Sequence, residues 1–268
     1  MKFGVYVLGV AAIATGIVDL VWGKFESAHE PIQAWGDNLT GQGGFADVVA
    51  IVLIVGGAAV LWRQSARIGA VLLGIAYLIF AIFWAPRIYW TMVIPGVGWP
   101  GTIGAIGGIG QQAIVIAAAA LIYADATPGS RWTSSITRIA PLVFGISVIF
   151  FGLAHLTGVG STAPMVPKWI PPNADFWVVF TGIAFIAAGI AISSGVLGVL
   201  AARLLTLMFL VFAALVLPRY IFQYPHNEIP WGSNAYNLAA VGATWVLADW
   251  LAGRRRLRLQ TGEIPNAG

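Results

Sequence analysis

The sequence predicts an all-α integral membrane protein with eight transmembrane helices, arranged as two four-helix repeats of the same orientation. Three observations predict it. The first is composition: of 268 residues, 59% are hydrophobic and only 9% charged, and the mean hydropathy is +0.86. Such a chain lacks the polar surface that a soluble domain presents to water. The second is the presence of eight hydrophobic runs that approach the roughly 20 helical residues needed to cross a bilayer core about 30 Å thick. The third is that the second half repeats the first. Gly9, Gly16 and Asp19 fall on Gly145, Gly152 and His155 at an offset of 136, and Gly57, Pro86 and Arg87 fall on Gly189, Pro218 and Arg219 at an offset of 132. Ala124 and Asp125 then match Ala248 and Asp249 at 124. The offset changes only in loops, as expected for a duplicated unit whose helices keep their length while the connections drift.

The runs follow in order. The first, residues 3–22, follows Lys2 and has the outline of a signal peptide. It recurs internally as the fifth run and has no convincing small-residue cleavage site, so it reads as a retained helix. Runs at 45–62 and 68–85 come next, the latter ended by Pro86, because proline disfavours helical geometry in the residue before it. The fourth, 102–123, carries Gly104, Gly107, Gly108 and Gly110 beside Gln111 and Gln112. That pattern predicts close helix packing with amide cross-bonds. These four make a first repeat over residues 1–126, and 127–137 reads as a linker. The second repeat, 138–252, holds runs at 139–156, 176–192, 195–217 and 235–251. A basic tail, 253–268, contains Arg254, Arg255, Arg256 and Arg258.

The orientation follows from charge. Lys2, Arg63, Arg67, Arg131, Arg138, Arg203 and the four C-terminal arginines fall on one side, and Lys24, Arg87, Lys168 and Arg219 on the other. The ten-to-four bias predicts that both termini are cytoplasmic, in a multi-pass cell (inner or plasma) membrane. Trp22, Trp35, Trp84, Trp90, Trp99, Trp169, Trp177 and Trp231 gather at the outer boundary, where the amphipathic indole is favoured. The outer connections, 24–44, 86–101, 157–175 and 218–234, are long enough to form a structured cap, and local function is expected there. The arginine tail suits anionic lipid headgroups, and no motif points to nucleic acid. The absence of cysteine excludes disulfides, thiolate-held clusters and a thiol nucleophile.

Ionisable groups within a span are costly and default to functional candidates. Asp19 and Arg87 read as a structural ion pair between the first and third helices. In the second half His155 replaces the aspartate while Arg219 keeps its charge. One reading is a hydrogen-bonded histidine with an arginine reaching to headgroups. The other is a site for an anionic or quinone-like ligand, or for a partner, with His155 and Arg219 as polar anchors and Trp169 and Trp231 as walls. Glu26, His29 and Glu30, and the segment Pro225-His226-Asn227-Glu228, have ligand-like spacing for zinc or iron, but polar loop residues are common and no metal is assigned. No catalytic constellation stands out.

The string Phe151-Gly152-Leu153-Ala154-His155, then Met165-Val166-Pro167-Lys168-Trp169-Ile170-Pro171-Pro172, then Phe176-Trp177, Thr181-Gly182 and Gly189, resembles the DoxX-like integral membrane protein family. So does Leu217-Pro218-Arg219 with Pro225, Trp231 and the small-residue stretch 238–242. The resemblance covers about 138–252, and the first half looks like a diverged second copy. It implies a four-helix unit, and its relatives include proteins that pass electrons to quinone and subunits linked to thiol and oxidative-stress defence. Many relatives carry a glutamate in the second helix, where this chain has Phe185 and, in the first half, Leu53 nearby. A proton relay resting on that carboxylate is therefore not expected. The resemblance implies an accessory, quinone- or lipid-facing subunit of a larger membrane redox or energy-converting assembly. Partners would be membrane lipids and other membrane subunits, and quinone is the candidate cofactor, with neither haem nor an iron–sulfur cluster expected of this chain. The alternatives are a non-catalytic lipid- or isoprenoid-binding or assembly protein and, with less support, a small-solute transporter.

Overall fold

The computed structural model describes residues 3–25, 42–216 and 218–261, with side chains except at 42, 216, 218, 219 and 258. It is 85% helical, with no strand among the described residues. In a bilayer this is the economical answer, because a helix satisfies its own backbone hydrogen bonds where water is absent. The long helices are α1 (Phe3–Trp22), α2 (Gln42–Val60), α3 (Ala66–Val93), α4 (Gly98–Ala126), α5 (Thr133–Thr157), α6 (Ala174–Ser194), α7 (Gly198–Val211) and α8 (Glu228–Gln260). A π-helical segment, Phe212–Val216, and a short helix, Pro218–Gln223, follow α7.

Seven of these, α1 to α7 with α7 taken through Gln223, are long and apolar enough to cross a membrane. Their outward faces are apolar stripes at helical spacing, such as Ile68, Val71, Ile75, Leu78 and Ile82 of α3, all exposed. Stripes of this kind are tolerated where lipid covers them. The predicted eighth run lies in α8, which falls short of the other seven in apolarity because it carries Asn237, Thr244 and Asp249. The reason is its position. From Ala235 to Ala248 nearly every residue is buried, so α8 has protein around it and needs no lipid-facing stripe. α4 is similar, with 67% of its span enclosed.

α1 packs on α2, α2 on α3 and α3 on α4; α5 packs on α6, α6 on α7 and α7 on α8. The two sets meet where α8 lies along α1, α4 along α5, and α4 against α8. Glycines set the closest crossings. A methyl group at Gly9 would lie 2.7 Å from the Gly57 carbonyl oxygen, and one at Gly145 would lie 2.7 Å from that of Gly189. At Gly16 and Gly152 the obstacles are the carbonyl oxygens of Ala50 and Gly182, each 2.5 Å away. Of the α4 glycines that the sequence picks out, Gly108 seats the Trp84 ring, a methyl group at Gly110 would lie 3.3 Å from Ser147, and Gly104 faces open space.

Several boundaries correct the sequence reading. Pro86 does not end the third helix: α3 runs through it to Val93, since proline forfeits one hydrogen bond and the turns on either side remain intact. The connection expected over 86–101 shrinks to 94–97. α5 already begins at Thr133, inside the expected linker, and α8 carries helix through Gln260, so the start of the basic tail is helical and presents Arg254, Arg255 and Arg256 to solvent. Arg254 reaches back to the Thr137 carbonyl at 3.4 Å and lies over the Trp250 ring.

Candidate functional site

The ends of α1, α3 and α5 and the starts of α2, α6 and α8 gather at one end of the bundle, where most of the described tryptophans lie. α1 stops at Gly23, whose φ of +65° turns the chain back, and the Lys24 amide donates to the Asp19 carbonyl. Phe25 is thereby tucked fully inside, edge-on to Phe45, Phe80 and Phe83. Asp19 lies above it on α1 with no exposed surface, and Tyr77 and Gln112 on α3 and α4 are equally enclosed. Arg87, the expected partner of Asp19, has its guanidinium 3.9 Å from the centroid of the Trp84 ring. A helical side chain leans toward the N-terminal turn, and so this arginine points back into the bundle from the tryptophan-rich end.

In the second half His155 lies in the last turn of α5 and stacks on Phe185 at 5.1 Å with an interplanar angle of 9°. Phe185 belongs to a cluster with Phe151, Phe209 and Phe212. The His155 Nδ1 is buried beside the Phe151 backbone one turn back, but makes no hydrogen bond of good geometry among the described residues. Arg219 falls in the short helix Pro218–Gln223, and its side chain lies outside the described residues. That helix is tied to the segment after α5 by Tyr220, whose hydroxyl donates to the Pro164 carbonyl at 3.2 Å.

The two proposed walls behave differently. Trp169 stands 70% exposed on a turn, and Trp231 is 38% exposed with its indole N–H committed to the Pro225 carbonyl at 3.0 Å. Trp177 makes the same bond six residues back, to Pro171 at 2.8 Å. Each of these two helix starts also has an asparagine cap: Asn173 accepts from the Phe176 amide and Asn227 from the Ile229 amide. A Pro-x-Asn-x-x-x-Trp segment thus builds both starts, with the cap satisfying an orphan amide and the indole closing the turn.

Glu26, His29 and Glu30 lie outside the described residues. Among the described residues no group of three metal-ligating side chains comes together. Glu228 is instead drawn to a residue that spacing does not suggest: the Lys24 Nζ stands 2.7 Å from its Oε1. This ion pair borders an open cavity of about 650 Å³ between the end of α1 and the start of α8. Two residues 204 positions apart share no local signal, although Lys24 is one of the few cations at this end and Glu228 an acid in a first helical turn. The chain matches no protein-family model, no curated protein and no solved structure in the comparisons made.

Proposed function

We propose that the protein is a DoxX-like membrane protein of eight spans, built as two four-helix repeats of one orientation with both termini cytoplasmic, and that it holds an amphiphilic membrane ligand. A quinone or a lipid at its outer end fits best, within a larger redox or energy-converting assembly. The two-repeat reading is supported by the glycine contacts. Residues matched by sequence offset, Gly9 and Gly145, Gly57 and Gly189, Gly16 and Gly152, make matching helix crossings, and the packing partners of α1 to α4 recur in α5 to α8. α8 is the eighth span in this reading, screened from lipid by its neighbours.

The observation that carries the ligand reading is the His155 imidazole, a polar ring set deep at the edge of an aromatic cluster, stacked on Phe185 and without a well-formed hydrogen bond at its buried Nδ1. Aromatic walls with one or two convergent polar groups are the usual make-up of a small-molecule site. An imidazole N–H can donate to a quinone carbonyl or a lipid phosphate oxygen, and the flat rings suit a planar headgroup. Arg219 would add the charge. The test is mass spectrometry of quinones and lipids retained by protein extracted with its native bilayer. His155→Ala and Arg219→Gln should each lower the retained ligand about ten-fold against the exposed control Trp99→Ala, an effect the size of one good polar contact. Equal retention in all three would remove this site. Co-purifying oxidoreductase subunits would place the ligand in electron transfer, and their absence would favour a protein that holds lipid alone.

A further inference from the structure

At the end of the bundle opposite His155, the start of α5 and the end of α8 are joined by one arginine. Pro141, inside α5, has no N–H to offer the carbonyl four residues back, so Thr137 cannot receive its ordinary helical bond. Arg254 takes that carbonyl instead: its Nη1 donates to the Thr137 oxygen at 3.4 Å, and its guanidinium lies 5.0 Å from the centroid of the Trp250 ring. The anchored side chain brings the arginines of α8 beside those of α5. Arg138 adjoins Thr137 in the chain, and the Arg131 guanidinium lies 4.9 Å from the centroid of the Trp132 ring just before α5. Arg131, Arg138, Arg254, Arg255 and Arg256 are all exposed. Among the described residues the acids at this end are Asp125 and Asp249, which the arginines outnumber.

Cations crowded on two adjoining helix ends repel one another, and a bound polyanion offsets that repulsion. The planar guanidinium, with five N–H donors, matches phosphate oxygens in particular. Arg254 commits one edge of its fork to Thr137 and has further donors on the other. The face of α5 extends the match beyond charge. Ser134, Arg138, Leu142 and Ile146 follow at four-residue spacing and are all exposed, so a hydroxyl, a guanidinium and then two alkyl groups line one face. α5 is apolar enough to cross a bilayer, and such a face suits an amphiphile with an anionic head and alkyl chains. We infer that the adjoining ends of α5 and α8 bind an anionic phospholipid with two linked phosphates, the diphosphatidylglycerol type. One phosphate rests on Arg138 and the other on Arg254, with acyl chains along Leu142 and Ile146. Two arginines tethered side by side favour a two-phosphate head, because once one phosphate is held the second contact is intramolecular.

The experiment is native mass spectrometry of the full chain released from choline-phospholipid nanodiscs that also hold phosphatidylglycerol and diphosphatidylglycerol at equal total phosphate. The wild-type protein should retain the two-phosphate lipid several-fold above the single-phosphate one. Arg138→Gln and Arg254→Gln should each bring the two to parity. Pro141→Ala leaves the charge untouched but returns an N–H to the Thr137 carbonyl, and it should lower the preference by loosening Arg254. Arg63→Gln removes the same charge on the turn after α2, a helix that packs on α1 and α3, and should leave the preference unchanged. Retention in proportion to phosphate in the wild-type protein, an equal loss in Arg63→Gln, or a preference that survives Arg138→Gln, Arg254→Gln or Pro141→Ala would overturn the proposal. Wild-type selectivity is read without any variant, so a substitution that impairs folding leaves the test intact. The site lies apart from His155, and its outcome neither rests on the quinone reading nor decides it.

Discussion

At the scale of single residues, what separates tolerated from destructive change is whether a backbone lies within one methyl group of the position. Gly152→Ala places its Cβ against the Gly182 carbonyl oxygen and must push α5 from α6. The expected loss is about 1–3 kcal/mol of unfolding free energy in a detergent titration, the usual cost of overpacking. Gly104→Ala meets nothing within 4 Å and should be neutral or stabilising by up to about 1 kcal/mol, because it restricts the unfolded chain. Asp19 tests a different force. If it pairs with Arg87 as proposed, Asp19→Asn should cost about 3–5 kcal/mol by leaving a cation uncompensated, and adding Arg87→Gln should recover part of the loss. Equal folded yield for the single and double variants would mean that the two residues do not interact.

At the scale of elements, α7 and α8 share a buried hydrogen bond. α7 gives way at Phe212 to a π-helical segment, and beside that junction the Phe209 carbonyl accepts from the Asn237 amide of α8 at 2.9 Å. Asn237→Leu keeps the branch at Cγ, adds bulk, and leaves that carbonyl with one bond fewer in the core, so a loss of about 1–3 kcal/mol is expected. Asn173→Ala, at the exposed start of α6, should cost only about 1 kcal/mol, the ordinary value of a helix cap. Thermal unfolding of both variants in one detergent measures the contrast. These elements also mark how far the sequence can be read. Among the described residues, hydrophobic length located each long helix, because lipid leaves a chain few alternatives. Pro86 misled, since its effect on a helix depends on whether neighbours hold the turns around it. α8 shows the reverse: its polar residues are lodged in protein, a property of packing that no window of sequence contains. At the candidate site His155 was legible as an ionisable residue in an apolar run. Its ring partner Phe185 stands out in the sequence only as the place of a missing glutamate, and the Lys24–Glu228 pair depends on a meeting of distant segments.

At the scale of the whole molecule, the architecture turns on whether α8 crosses the membrane. If it does, two four-helix units stand side by side in one orientation, and the termini share a face with the linker between α4 and α5. If it does not, the count falls to seven, and the two ends of α8 lie on one side. The chain contains no cysteine, so single introduced thiols can be labelled without background. The most direct measurement is the reaction of membrane-impermeant maleimide, in intact cells and in inverted vesicles, with Gly129→Cys, His226→Cys and Gln260→Cys. With eight spans, His226→Cys is expected to react from the outside, whereas Gly129→Cys and Gln260→Cys react only from the cytoplasmic side. Labelling of His226→Cys and Gln260→Cys from the same side would contradict the eight-span, two-repeat architecture.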